Sequence, residues 1–195
     1  KVLVDFVYVP SINLYVAKKT SRMTDWFNGH KLLQKNKERM LILPEFIEFL
    51  KYIKSSNNQE YQNLYQEVTQ VRVPWRAEWL DANFRAENNK LHLDSNHVLD
   101  SNGNLIPKNS EILDENTLMK DKKISLENWL ENPTKQGLPT KNVELGKLDY
   151  WHPRSENNSA TWFYTCPIAS AGLSCNWSIH SFGGLKVRAA KEKIN

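Results

Sequence analysis

The apolar positions of this chain follow regular periods over its first three quarters and lose them near the end. Between Lys1 and Pro10, Val2, Val4, Phe6 and Tyr8 alternate with Leu3, Asp5, Val7 and Val9, so β-branched or aromatic residues fill most positions. That pattern predicts a strand buried on both faces. Leu43-Pro44-Glu45 opens a helix, because proline is preset for the first turn and a glutamate there complements the helix dipole. Phe46, Phe49, Leu50 and Ile53 then form one apolar stripe at i, i+3, i+4, i+7. A second stripe, Tyr61, Leu64, Tyr65 and Val68, follows the polar connection Ser55-Ser56-Asn57-Asn58. Two amphipathic helices joined so briefly predict a helical hairpin packed on a sheet.

Val71 to Phe84 is dense in aromatics, with Pro74 as a break; Trp75 and Trp79, four residues apart, read as core-filling residues on a short helix or turn. Beyond Lys90, Leu91 and Leu93 alternate with polar residues, Asn102-Gly103 marks a turn and Leu105-Ile106 continues after it, which predicts a hairpin or a pair of edge strands. Ser125 is placed to cap a short helix carrying Leu126, Trp129 and Leu130, ended by Asn132-Pro133, and Gly137-Leu138-Pro139 is a further turn. No internal repeat, low-complexity tract or linker interrupts the chain. The expectation is one α+β domain spanning 1–195.

Tyr150 to Lys191 breaks these rules. Tyr150-Trp151, Ala171-Gly172-Leu173 and Leu185-Lys186-Val187-Arg188-Ala189-Ala190 look ordered. Between them Trp162, Tyr164, Cys166, Pro167, Ile168, Asn176, Trp177, Ile179, His180 and Phe182 match neither strand alternation nor helical spacing. Large side chains placed without a period are better candidates for a binding surface than for a core.

Composition narrows the function classes. The 195 residues are enough for one well-buried domain, and 40% apolar with 25% charged residues excludes a disordered chain. The net charge is +4 and the basic residues are dispersed; the one cluster, Lys186, Arg188, Lys191 and Lys193, reads as a solvated face, so no nucleic-acid partner is expected. No apolar run has the length of a membrane span, and no transmembrane segment is expected. The sequence begins at Lys1, which is compatible with processing or trimming of its start and with a removed signal peptide.

Motifs of catalysis are missing from the sequence: it has no glycine-rich phosphate loop and no nucleophile elbow. Asp94 to Asn104 is rich in Asx residues, but a calcium loop with Gly103 at its sixth position would begin at Val98 and end at Asn109, where carboxylates are required. Asx turns explain that stretch. None of His30, His92, His97, His152 and His180 pair at ligand spacing on a helix, and each reads as a surface or structural histidine. Glu45 and Glu48 read as solvated helix exterior. Cys166 and Cys175, nine apart, read as a free thiol and a small buried hydrophobe. The sequons at Asn157 and Asn176 are compatible with glycosylation in an exported protein. No catalytic residue, metal or cofactor is expected.

The frame of the C-terminal segment, Trp162-Phe163, then Ala171-Gly172-Leu173-x-Cys175, then Leu185 to Ala190, resembles the variable region of diversity-generating retroelement target proteins, the archaeal variable proteins above all. Leu43-Pro44-Glu45-Phe46 and Pro74 to Leu80 resemble their invariant part. The resemblance implies a C-type-lectin fold, a mixed short-stranded sheet with two packed helices and long loops. It implies a non-enzymatic protein on a cell surface or virus particle, binding an unidentified protein or surface ligand. Residues 150–191 would be the segment that an error-prone reverse transcriptase rewrites. By position the replaceable residues would be Trp162, Tyr164, Cys166, Pro167, Ile168, Asn176, Trp177, Ser178, Ile179, His180 and Phe182, held from behind by Trp75, Trp79 and Trp129. Aromatic anchors would supply most contact energy and Asn176, Ser178 and His180 adaptable hydrogen bonds, over an area on the order of 500–800 Å² per partner. Lys186 stands where the resemblance expects glycine, and reads as a tolerated strand residue.

Two other classes share that fold. A formylglycine-generating-type oxidase would use Cys166 and Cys175 as copper-binding thiolates, at a spacing longer than the close pair of that family. A calcium-dependent lectin would carry a Glu-Pro-Asn or Gln-Pro-Asp triplet and a Trp-Asn-Asp triplet; this chain has Glu131-Asn132-Pro133 instead, in the wrong order, and no Trp-Asn-Asp.

Overall fold

The computed structural model describes residues 5–154, 159–168, 170–179 and 185–193. The elements run β1 (Phe6–Val9), β2 (Leu14–Ala17), α1 (Trp26–Gln34), α2 (Leu43–Ser55), α3 (Gln59–Thr69), β3 (Arg76–Glu87), β4 (Lys90–Leu99), β5 (Leu105–Ile112), β6 (Lys122–Ile124), α4 (Leu126–Glu131), β7 (Leu148–Trp151), β8 (Ser159–Thr165), β9 (Ala171–Ser178), β10 (Lys186–Val187) and β11 (Ala190–Glu192). The class is α+β. One sheet has the order β5-β4-β3-β8-β9-β7-β6, with β10 also paired to β3, and a three-stranded sheet has the order β1-β2-β11. The large sheet is mixed, since β7 runs parallel to β9 and β10 parallel to β3 while the other pairs are antiparallel.

The helical hairpin forms where the apolar stripes place it. Leu43, Phe46, Phe49, Leu50 and Ile53 of α2 and Leu64 and Val68 of α3 are buried in one core with Leu80, Ala82 and Phe84 of β3, Phe163 of β8 and Leu173 and Cys175 of β9. Phe46 and Trp129 flank Phe163 at 5.3 and 6.4 Å between ring centroids, and the Trp129 Nε1–H donates to Gly137 O at 3.0 Å. Ser125 caps α4 by accepting from the Asn128 N–H. Asp100 accepts from the N–H groups of Asn102 and Asn104, an Asx-type closure of the β4–β5 turn in which Gly103 has φ +79°. The β5 edge strand is exposed along most of its length.

Several expectations change. Among the described residues of the first strand only Val7 and Val9 are buried while Phe6 and Tyr8 are half-buried, because the three-stranded sheet packs one face on the core and leaves the other facing outward; residues 1–4 lie outside the described set. Trp75 and Trp79 are not on a helix. Trp79 lies within β3 and is buried, whereas Trp75 precedes the strand and is 45% exposed, so the pair does not fill one core, and Trp129 belongs to the opposite face of the sheet. Glu45 is not solvated exterior: it receives both ends of the Arg39 guanidinium at 2.7 Å and accepts from the Ile42 N–H at 3.1 Å.

Arg188 departs furthest from the solvated basic face assigned to it. It is buried, clasps Glu78 through two bonds of 2.7 and 2.9 Å, and donates to Ala17 O and Lys18 O at 2.8 Å. A buried guanidinium is tolerable only with its donors matched in this way. The bonds tie the end of β2, β3 and the C-terminal segment together. Lys186 is an exposed residue of β10, paired beside Glu78, and the strand accepts it in place of glycine.

Candidate functional site

Alternate residues of β8 face opposite sides of the sheet. Phe163 points into the core beneath α2, while Ala160, Trp162, Tyr164 and Cys166 belong to a second apolar cluster on the other side, with Trp26 of α1, Ala77, Trp79, Leu185 and Val187. Both faces of β8 are therefore apolar, which hides the two-residue period in the sequence. In β9, Leu173 and Cys175 face the core, and the pairing with β8 then slips: Trp162 opposes Ser174, but Ala160 opposes Trp177. Three residues of β9 are spanned against two of β8, a bulge that puts both Asn176 and Trp177 beside the pocket described next.

On this side lies a pocket of about 810 Å³. Its walls are Trp162 and Tyr164 from β8, Cys166 and Ile168 from the segment just after it, and Ser174, Asn176 and Trp177 from β9. Trp75, Trp151, Arg154 and Leu185 complete the rim, so four of the seven tryptophans meet in one depression. Trp162 is the hub, its ring 4.8 Å from Tyr164 and 5.6 Å from Trp177. Its own indole Nε1 is buried and has no hydrogen-bond partner. The Trp151 Nε1–H donates to Tyr164 Oη at 3.0 Å; burial pushes the Tyr164 phenol above its ordinary range, with that bond opposing, so it stays a neutral hydroxyl. The Ser174 hydroxyl donates to Asn176 Oδ1 at 3.1 Å. Tyr164 lies over Gly172, where a Cβ would collide with its ring, so glycine permits the ring to lie flat.

Six residues singled out from the sequence thus meet at one pocket: Trp162, Tyr164, Cys166, Ile168, Asn176 and Trp177. Pro167 is exposed in the adjoining turn, Ser178 ends β9, and Ile179 packs against the second cluster. His180 and Phe182 lie outside the described residues. Sequence reasoning did not place Trp75, Trp151, Arg154, Ser174 or Leu185 at the site. Trp151 had a readable signal, because it follows the core residue Tyr150 in a strand and must face the other way. Trp75 and Arg154 are distant in sequence and carried none.

The two cysteines do not share a site. Cys175 is wholly buried on the core side, where burial pushes its thiol up to about 12 against a weak opposing bond from Thr161, and Cys166 packs on the pocket side. Cys175 lies near Thr161 across the ladder, and five residues of extended β8 separate Thr161 from Cys166, about 16 Å. The chemistry on offer in the pocket is aromatic stacking, a few hydrogen-bond groups and one guanidinium.

A second arrangement lies at the other end of this face. His30 of α1, Asp81 of β3 and His97 of β4 are all buried, although they are far apart in sequence. Their spacing on a helix gave no sign of this meeting, since the fold and not helical spacing brings the two histidines together.

No protein-family model matches the chain, and no significant match is found among curated proteins or among solved structures.

Proposed function

We propose that this protein is a non-enzymatic ligand-binding domain whose pocket-side residues on β8, β9 and the adjoining turn form a replaceable recognition surface on a C-type-lectin-type scaffold. The observation that carries the reading is the division of side chains along β8 and β9. Residues that hold the sheet to its helices, Phe163, Leu173 and Cys175, alternate with residues that line an open aromatic depression, Trp162, Tyr164, Ser174 and Asn176. Such a layout lets one face change without disturbing the other. The aromatic rings offer large, rigid contact area at low conformational cost, as in antibody paratopes, and Ser174, Asn176 and Arg154 add directional groups at the margin. The ligand is a protein or surface group with an apolar or aromatic protrusion.

The separation of Cys166 from Cys175 argues against the copper-oxidase alternative. No helix among the described residues is long and apolar enough to cross a membrane. The test of diversification lies in the DNA next to the gene. The reading expects a near-copy of the stretch encoding Tyr150 to Lys191, differing from it at template adenines, beside a reverse transcriptase gene. A locus without either overturns the retroelement part of the reading and leaves the binding pocket to be tested by itself.

A further inference from the structure

The pocket does not account for the buried triad on the same side of the sheet. One ligand atom each from His30, Asp81 and His97 lies within 4.8 Å of the other two. His30 and Asp81 are almost completely enclosed, and His97 is 6% exposed. His97 Nδ1 is 2.5 Å from Asp81 Oδ1, the His97 N–H donates to Asp81 Oδ2 at 2.9 Å, and His30 Nε2 stands 3.7 Å from Asp81 Oδ1. Both ring nitrogens of His30 lack a hydrogen-bond partner, although no part of the residue reaches solvent. An unpaired buried polar group is costly, so a buried imidazole with two unpartnered nitrogens calls for an occupant.

The surroundings hold these groups in place. The edge of Trp26 meets His30 at 4.5 Å and His97 at 4.9 Å, and its Nε1–H donates to Leu80 O. Gln34, one turn after His30 on α1, donates to His97 O and accepts from the Leu99 N–H, which locks α1 to β4. Asp81 sits where β3 slips by two residues against β8, and Asn96, next to His97, has φ +53°. Irregular backbone in both strands turns these side chains together.

From this we infer that His30, Asp81 and His97 form a structural binding site for a divalent transition-metal cation of the zinc type. Two imidazoles and one carboxylate are an N₂O donor set suited to zinc, and tetrahedral coordination at about 2.0–2.1 Å implies ligand atoms roughly 3.3 Å apart. The 3.7 Å pair must close slightly, and the 2.5 Å pair must open as the ion replaces the proton held between His97 and Asp81; that proton leaves to solvent. A depression of about 520 Å³ lined by Gln34, Asn96 and His97 adjoins the triad at His97. Bound by the triad, the ion pins α1 to β3 and β4 and stabilises the folded chain by mass action.

The test uses the full chain, stripped with a chelator and titrated with Zn(II), with Co(II) as spectroscopic probe and Mg(II) as control. Wild type is expected to take up one Zn(II) per chain, to raise its thermal midpoint with Zn(II) but not Mg(II), and to give the intense visible bands of tetrahedral Co(II). His30→Gln and Asp81→Asn are expected to weaken Zn(II) uptake by roughly 100-fold or more, since losing even an outer-sphere partner costs 10–100-fold. The control His152→Gln, at a half-buried histidine outside the triad, leaves the uptake intact. If Asp81→Asn does not fold, the wild-type Co(II) spectrum and His30→Gln decide. Wild type without stoichiometric uptake overturns the inference, and so does uptake indifferent to His30→Gln.

Discussion

The two faces of β8 and β9 have the same strands and opposite duties. On the core side Phe163, Leu173 and Cys175 are sealed beneath α2 and α4, with few ways to change size without a cavity or a clash. On the pocket side Trp162, Cys166, Asn176 and Trp177 are only half-buried, and Ile168 in the next turn is 97% exposed. Hydrophobicity does not separate the two faces, for both carry large apolar groups. What separates them is whether a neighbouring element covers them. Aromatic residues that no described element covers are a standing opportunity for a ligand.

The comparison can be broken at several points. The largest effect is expected in the frame that carries both faces. Glu78→Ala leaves the Arg188 guanidinium buried with two of its bonds gone, and should cost about 3–5 kcal/mol in chemical denaturation. Gly172→Val removes the space under Tyr164, displaces its ring and breaks the Trp151–Tyr164 bond. A loss of about 1–3 kcal/mol is expected, with a changed tryptophan emission spectrum as the pocket reshapes. Trp177→Ala, on the pocket side, should cost about 1–2 kcal/mol, less than a core truncation, because the residue is partly exposed and packs at the margin of the second cluster. A cost matching that of a core truncation would place Trp177 in the core. The smallest perturbation separates the thiols: native protein should react with iodoacetamide at Cys166 alone, and Cys175 should react only on unfolding.

The sequence was most legible where one face alone is apolar. The stripes of α2 and α3 and the Ser125 cap each stand in the structure as their spacing predicts. Legibility failed where two faces are both apolar or where a bulge changes parity. Trp162, Tyr164 and Cys166 looked aperiodic because Phe163 between them is equally hydrophobic, and Asn176-Trp177 because the slip against β8 brings two successive residues to one side. Trp75 looked like core because helical spacing to Trp79 was assumed, whereas four residues along an extended chain keep the same face but run about 13 Å, out of the covered region. Arg188 and the His30–Asp81–His97 group were illegible for a different reason: Glu78 lies 110 residues from Arg188, the triad comes from three separate elements, and no local period records such a meeting.

The central claim is that the pocket side can be rewritten while the core side cannot. Two libraries test it, one randomising Trp162, Cys166, Ile168, Asn176 and Trp177 and the other Phe163, Leu173 and Cys175, each scored by resistance to proteolysis. The account predicts that most members of the first library fold and few of the second do. A first library as depleted as the second would contradict it, and would make the aromatic depression part of the core.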